Sequence, residues 1–205
     1  MKRLLLILAA SITVTGCAST PQSQYYTLSG AALSNPPAAQ ATFVIHLSTV
    51  KVPQQVDRPQ IVLGRQGSTE VTLLNDSQWA APLTSEIRDA LSHQLSQRLG
   101  ALEVEPRAAP KDLPLWMLSL TVNRFDSIYE RVAVLDVTWR QAPRNGAKGP
   151  NAICSATIEV PVGPGVESLV AGHQQALSEL AGLMANKLRG QPLEAGEGVV
   201  LKGCV

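Results

Sequence analysis

Three cysteines and three histidines are the side chains of this 205-residue chain best suited to metal binding, thiol redox chemistry or proton transfer. The cysteines stand at positions 17, 154 and 204, far apart and without a Cys-x-x-Cys pair. Structural zinc sites and thioredoxin-like redox motifs both need closely spaced ligands. The histidines are equally scattered, so we expect no metal site and no cofactor.

The chain also lacks the local signatures of catalysis. Gly-x-Ser-x-Gly, the phosphate-binding loop, His-Glu-x-x-His and Gly-x-Gly-x-x-Gly are all absent, which removes the common motifs of hydrolysis, phosphate binding and dinucleotide binding. The local patterns place His46 on the outward face of a strand, His93 on the exposed side of a helix and His173 in an apolar helical stripe. We therefore predict a binding or structural protein with no catalytic residues, not an enzyme.

The N-terminus carries an export signal. Lys2 and Arg3 precede a short apolar run, and small residues follow it. This order is typical of a signal peptide, and the run is too short for a membrane-spanning helix, which needs about 20 apolar residues. The stretch Val14-Thr15-Gly16-Cys17 resembles a bacterial lipobox, whose cysteine receives diacylglycerol and becomes the mature N-terminus. We predict cleavage of residues 1–16 and a lipid anchor, with fatty acids such as palmitate, on Cys17.

Charge and the residue after the lipobox indicate where the protein acts. The formal net charge of +1 lacks the strong basic field of a nucleic-acid-binding protein. Ala18 follows the lipidated cysteine, and in diderm bacteria a residue other than Asp at this position favours delivery to the outer membrane. We expect a lipid-anchored protein of the outer membrane that faces the periplasm, with inner-membrane retention as the alternative.

Lipidation uses Cys17, so Cys154 and Cys204 remain as two cysteines that can pair. The periplasm is oxidising, so Cys154 and Cys204 are expected to form a disulfide. Cys154 falls on the apolar face of a predicted strand, which Cys204 can reach only if the C-terminal tail folds back beside it. The alternative is a buried free thiol at Cys154 and a frayed one at Cys204.

Apolar periodicity predicts the secondary structure. Short strands are expected at 25–28, 43–52, 61–63, 71–74 and 199–201, and a three-stranded antiparallel meander at 115–160 with its first turn at 124–130. Helices are expected from Pro82 to Leu99 and from about Glu167 to Leu188, each followed by a glycine. The predicted fold class is α+β, an antiparallel sheet with two amphipathic helices packed on one face.

The predicted elements divide the chain into three parts. Residues 1–16 form the signal peptide, and residues 17–41 form a lipidated N-terminus with the first short strand and a loop. Residues 42–205 form one periplasmic α+β domain.

Four segments of the chain resemble the PqiC-type lipoproteins, which are also described as ABC-type transport auxiliary lipoproteins. They are Tyr25-Tyr26-Thr27-Leu28, Val50-Lys51-Val52-Pro53, Val56-Asp57-Arg58-Pro59-Gln60-Ile61-Val62 and Trp79-Ala80-Ala81-Pro82-Leu83. Their order and spacing carry the resemblance, together with the meander and the terminal amphipathic helix. Ala81 stands where the family segment has an acidic residue.

The resemblance implies a membrane-integrity-associated transporter subunit. Such a lipoprotein works with a PqiB-like MCE-domain protein and an inner-membrane partner in lipid transport between the membranes. Asp57, Arg58, Pro59 and Gln60 then become candidates for a docking surface, together with the edge of the first sheet; their alternative role is a fold signature. The docking partner is the MCE protein or further copies of the same subunit.

Two other functions remain open at this point. The first is an outer-membrane lipoprotein that assembles or plugs a β-barrel. The second is a periplasmic hydrolase with an unrecognised site, which would use one of the three histidines.

Overall fold

The computed structural model describes residues 22–30 and 41–205. The predicted signal peptide, Cys17 and Ala18 lie outside the described residues. The described chain contains ten elements, and every strand and helix expected above is among them. In chain order they are β1 Gln24–Tyr26, β2 Val44–Lys51, β3 Gln60–Gly64, β4 Val71–Trp79, α1 Leu83–Leu99, β5 Leu115–Ile128, β6 Val132–Arg144, β7 Ala152–Pro161, α2 Val166–Leu188 and β8 Val199–Cys204.

The strands form one mixed sheet in the order β1-β4-β3-β5-β6-β7-β8, and β2 pairs with β5. The predicted antiparallel meander is confirmed as β5, β6 and β7, and the C-terminal strand β8 adds to its edge. Together with the two helices, this sheet confirms the α+β fold class.

The sheet is mixed, and in this respect the expectation of an antiparallel sheet is wrong. Three pairs are parallel: β1 with β4, β2 with β5 and β3 with β5. Parallel neighbours need a crossover connection, and β3, β4 and α1 all lie between β2 and β5 in the chain. Alternation along a strand shows that one face is buried, but it does not show the direction of the neighbouring strand.

A β-bulge in β5 moves the predicted first turn of the meander. Before it, alternate residues from Trp116 to Val122 are buried in the core, as expected. The register shifts between Val122 and Arg124, after which Phe125 and Ser127 are the buried residues. Because the bulge interrupts the alternation, the sequence pattern ended the strand too early, and β5 extends to Ile128.

Both helices begin and end close to the predicted positions. Pro82 precedes the first turn of α1, and Gly100, with φ of 65°, ends it in the left-handed conformation. The helices pack on each other and against the sheet, with α1 on β2 and α2 on β6 and β7. The apolar stripe of α1 is fully buried and consists of Leu83, Ile87, Leu91, Leu95 and Leu99. No helix within the described ranges has the length and apolar character needed to cross a membrane.

The segment after α1, around residues 102–104, pairs with the edge of β2 through backbone hydrogen bonds. The Ile45 amide donates to the Leu102 carbonyl, and the Val104 amide donates to the Ile45 carbonyl, each at 3.0 Å. His46 is therefore buried, with Nδ1 at 3.1 Å from the Val104 carbonyl oxygen. The expectation that His46 is exposed is wrong, because a segment almost 60 residues further along the chain covers it. His93 is exposed on α1, as expected.

Candidate functional site

The candidate docking residues lie in residues 53–60, a short loop between β2 and β3 together with Gln60, the first residue of β3. The Pro53 carbonyl accepts hydrogen bonds from the amides of Val56, at 3.1 Å, and Asp57, at 3.2 Å. At the other end of the loop, the Trp79 amide donates to the Pro59 carbonyl at 2.8 Å. The buried Val56 side chain anchors the middle of the loop. The 53–60 loop is thus held in shape by its own turn and by β4.

The four candidate side chains differ in exposure. Asp57 and Pro59 are exposed, whereas Arg58 and Gln60 are half-buried. Within residues 22–30 and 41–205 neither Asp57 nor Arg58 forms an ion pair, and the Arg58 Nε is buried without a hydrogen-bond partner. The loop therefore presents an acid and a base that the described part of the domain does not neutralise.

A cavity of about 460 Å³ lies beside the 53–60 loop. Pro53, Gln55 and Val56 form one side of it, and the end of β5 from Asn123 to Ile128 forms another. Arg124 and Asp126 pair with each other across this cavity wall, with the Arg124 Nε 3.0 Å from the carboxylate. The cavity lining is mixed in polarity, and two of its charged groups, Arg124 and Asp126, neutralise each other.

Behind the loop, three rings form a buried column. Trp79 is 5% exposed and lies edge-on to Phe125 with ring centroids 6.0 Å apart. Phe125 in turn stacks on His173, with centroids 3.8 Å apart. The column joins β4, β5 and α2, so Trp79 is a core residue of the domain.

His173 is a packing residue, as the apolar stripe predicts. Its side chain is 1% exposed, and burial lowers its pKa to about 3. Nε2 lies 2.8 Å from the Ser127 hydroxyl, while Nδ1 has no hydrogen-bond partner among the described residues. A serine–histidine pair in a hydrolase needs substrate access and a group that orients the histidine. This buried pair therefore does not favour the hydrolase alternative.

The structure assigns a role to Glu86 that the sequence did not indicate. A first-turn acid is expected to interact with the helix dipole. Instead the carboxylate of Glu86 is buried and accepts hydrogen bonds from the Thr27 hydroxyl, at 2.7 Å, and the Leu28 amide, at 2.8 Å. From α2, the side-chain amide of Gln174 donates a hydrogen bond to the Thr27 backbone carbonyl at 3.0 Å. The segment that follows β1 is thus fastened to both helices, and no local pattern in the sequence marks this long-range contact.

Cys154 and Cys204 lie directly opposite each other in the β7–β8 pair and are joined as a disulfide, with Cα atoms 4.1 Å apart. The adjacent residues Ile153 and Val205 exchange both backbone hydrogen bonds, at 2.8 and 2.9 Å. The cysteines therefore occupy the neighbouring non-hydrogen-bonded position, where facing residues are closest. The C-terminal tail does fold back beside the meander.

A buried carboxylate provides a second link to β8. Asp136 on β6 accepts hydrogen bonds from Lys202, from Asn123 at 3.1 Å and from Thr157 at 2.9 Å. Burial alone raises the pKa of Asp136, but these hydrogen bonds, that from Lys202 first, outweigh it and lower the pKa below its usual value. In the described parts of the chain, no three His, Cys, Asp or Glu side chains are grouped to hold a metal ion.

Comparisons with known proteins identify a family and a fold. A family model described as "ABC-type transport auxiliary lipoprotein component" matches residues 26–185. Among solved structures, an uncharacterized protein has a TM-score of 0.59 at 16% identity, with 82% of this chain and 99% of that chain covered. A Xanthomonas campestris protein has a TM-score of 0.58 at 18% identity, with 81% and 95% covered. At these identities the two structures show a shared fold alone. No curated protein matches the sequence.

Proposed function

From the premise that the chain belongs to the family of ABC-type transport auxiliary lipoprotein components, we propose that it is the lipid-anchored docking subunit of an MCE transport system. The observation that carries this proposal is the family match, which extends from β1 into α2. The lipoprotein would bind a periplasm-spanning, PqiB-like MCE protein at the outer membrane. The assembled system would move phospholipid or other hydrophobic molecules between the membranes and support envelope integrity.

The anchor in this proposal is the lipidated Cys17, and Ala18 directs it to the outer membrane. A single acyl chain binds a membrane reversibly, whereas several chains hold a protein stably. Only six residues separate Cys17 from Gln24, where β1 begins, so the chain can place β1 at most about 25 Å from the anchor. Hydrogen bonds to Glu86 and Gln174 hold the segment after β1 against the two helices. The lipid anchor would therefore keep the whole domain, and not only β1, close to the membrane.

Support for docking at the 53–60 loop comes from its shape and its charge. The loop is held by backbone hydrogen bonds before any partner binds, which lowers the entropic cost of binding. Arg58 has no carboxylate partner among the described residues, and a guanidinium can bind a carboxylate with two parallel hydrogen bonds. The loop is therefore suited to an acidic group on the MCE protein.

The two edges of the sheet support association of copies of this chain, the alternative docking partner to the MCE protein. Within the described residues, β1 pairs only with Ser77–Trp79 of β4, which leaves Val71 to Asp76 with an uncovered edge. Val71 and Leu73 on this stretch are 41% and 39% exposed. At the other end, β8 pairs only with β7. Uncovered strand edges readily pair with further strands, and head-to-tail contacts between copies can close into a ring.

Capture of partners from a detergent-solubilised envelope tests the proposed function. The tagged full-length lipoprotein is expected to retain an MCE-domain protein. Arg58→Ala is expected to lower the yield about tenfold, which corresponds to loss of an interface arginine. Because Arg58 is half-buried at the surface, this variant should melt like the wild type. Arg107→Ala, which removes an exposed arginine elsewhere, is the matched control.

Three results would contradict the proposal. Retention of a β-barrel in place of an MCE protein would support the plug or assembly function. Early melting of Arg58→Ala would make the 53–60 loop a fold signature. Unchanged retention by Arg58→Ala would remove Arg58 from the interface.

A further inference from the structure

A cleft beside the paired start of β5 and end of β6 has the size of a small-molecule site. Its volume is about 430 Å³, within the roughly 300–1,000 Å³ usual for such sites. It lies where β5 begins and β6 ends, and Leu115 pairs there with Arg144. We name it the 140/144 cleft, after the two arginines that line it.

The floor of the 140/144 cleft is apolar. Leu115 and Ala142 are buried, and Met117 is half-buried beside them. These residues alternate with the core residues of their strands, so they belong to the sheet face that the helices do not cover. Pro106, from the segment after α1, forms a wall over this floor. The cleft can therefore shelter hydrocarbon.

The charge in the cleft is positive and uncompensated. Arg140 and Arg144 are both exposed, and no acidic residue lines the cleft. Within the described residues neither arginine forms an ion pair, and the one side-chain hydrogen bond of the two is from Arg144 to the Pro143 carbonyl. By contrast, Arg88 pairs with Glu103, and Arg124 pairs with Asp126.

We propose that the 140/144 cleft binds the phosphate headgroup of an anionic amphiphile, namely a phospholipid. Guanidinium groups bind phosphate oxygens through paired, charge-assisted hydrogen bonds. The apolar floor would receive the methylene groups next to the phosphate. An apolar floor beside two guanidiniums without ion-pair partners among the described residues fits an amphiphile, which brings both hydrocarbon and negative charge, better than an acidic peptide. The inference deepens the proposed function and rests on it for the source of the lipid.

Binding of hexyl phosphate to the full-length lipidated protein, measured by calorimetry in dodecyl maltoside, tests this inference without any partner protein. We expect hexyl phosphate to bind, inorganic phosphate to bind at least tenfold more weakly and hexyltrimethylammonium not to bind. Arg140→Gln/Arg144→Gln should weaken hexyl phosphate binding at least tenfold. Arg107→Gln/Lys148→Gln removes the same charge from nearby exposed positions outside the cleft lining and should bind like the wild type.

Each contrary result overturns the inference in a distinct way. Equal binding of inorganic and hexyl phosphate would indicate a site for free phosphate. Equal weakening by both double variants would indicate nonspecific attraction by surface charge. No binding of hexyl phosphate, with loss of MCE protein capture by Arg140→Gln/Arg144→Gln, would assign the cleft to protein docking. Because no partner is present in the calorimetry, failure of this inference leaves the partner-capture result unaffected.

Discussion

At the scale of single residues, His173 makes folding sensitive to acid. Its ring stacks on Phe125 and its Nε2 contacts Ser127 in a site from which water is excluded. Burial lowers the pKa of His173 in the folded state from 6.5 to about 3. Well above pH 6.5 the ring is neutral in both states, so its pKa shift costs nothing there. As the pH falls below 6.5, the unfolded chain gains a proton that the folded chain does not, and stability is lost.

We expect the free energy of unfolding to fall by about 2 kcal/mol from His173 alone between pH 7 and pH 5. Urea denaturation at the two pH values measures this loss. His173→Leu should lower stability at pH 7, since it removes the stacking and the hydrogen bond, but it should also flatten the pH dependence by about this amount. His93→Leu, at an exposed position on α1, is the control. An equal pH dependence in His173→Leu and the wild type would show that His173 is protonated while folded.

At the scale of elements, β8 is the edge strand that is added to the meander. It pairs with β7 alone among the described strands, and Gly203 lies within it at φ of 124°. Two side-chain links compensate for this exposed position. The disulfide joins β8 to β7, and Lys202 reaches across to Asp136 on β6.

We predict that the disulfide is present in the periplasmic protein and that β8 depends on it. The bridge closes a segment with a sequence separation of 50 residues, for which the chain-entropy model gives about 4 kcal/mol of stabilisation. Cys204→Ala should therefore lower the melting temperature by about 8–16 °C, and hydrogen exchange should increase first in β8. Alkylation without reductant, followed by mass spectrometry, checks the bridge itself. If both cysteines carry the alkyl tag, the bridge is absent.

At the scale of the whole molecule, the proposed architecture places a docking domain on a short tether. The 53–60 loop belongs to the same domain as the tethered β1, and both are fixed by contacts with β4. Docking at this loop would therefore take place close to the membrane that holds the anchor. The 140/144 cleft lies elsewhere on the sheet, at the paired start of β5 and end of β6.

The anchor prediction concerns the intact protein in the cell. Metabolic labelling with a fatty-acid analogue should label the wild type, and Cys17→Ser should remove the label because the acylated thiol is lost. The variant should remain unprocessed or leave the outer membrane fraction. Ala18→Asp should keep the label but shift the protein toward the inner membrane on a density gradient. Equal labelling of Cys17→Ser and the wild type would contradict the lipobox assignment.

Features that depend on neighbouring residues could be predicted from the sequence alone. Pro82 and Gly100 mark the ends of α1, and alternation from Trp116 to Val122 marks the buried face of β5. Period and capping are local properties, so they can be recognised without the fold. The segment around Asp57 and Arg58 indicated the family, although its role in docking stays a prediction.

Contacts between distant residues, by contrast, are set by the tertiary structure. It made the β2–β5 pair parallel, covered His46 with the segment around Val104, and brought Glu86 to the Leu28 amide. It also placed Arg140 and Arg144 on one cleft. The first three contacts join residues that are far apart in the chain. The cleft exists because the helices leave one face of the sheet uncovered. Local periodicity reports that a residue has a buried or an exposed side, but the partner on that side is determined by the packing of the complete chain.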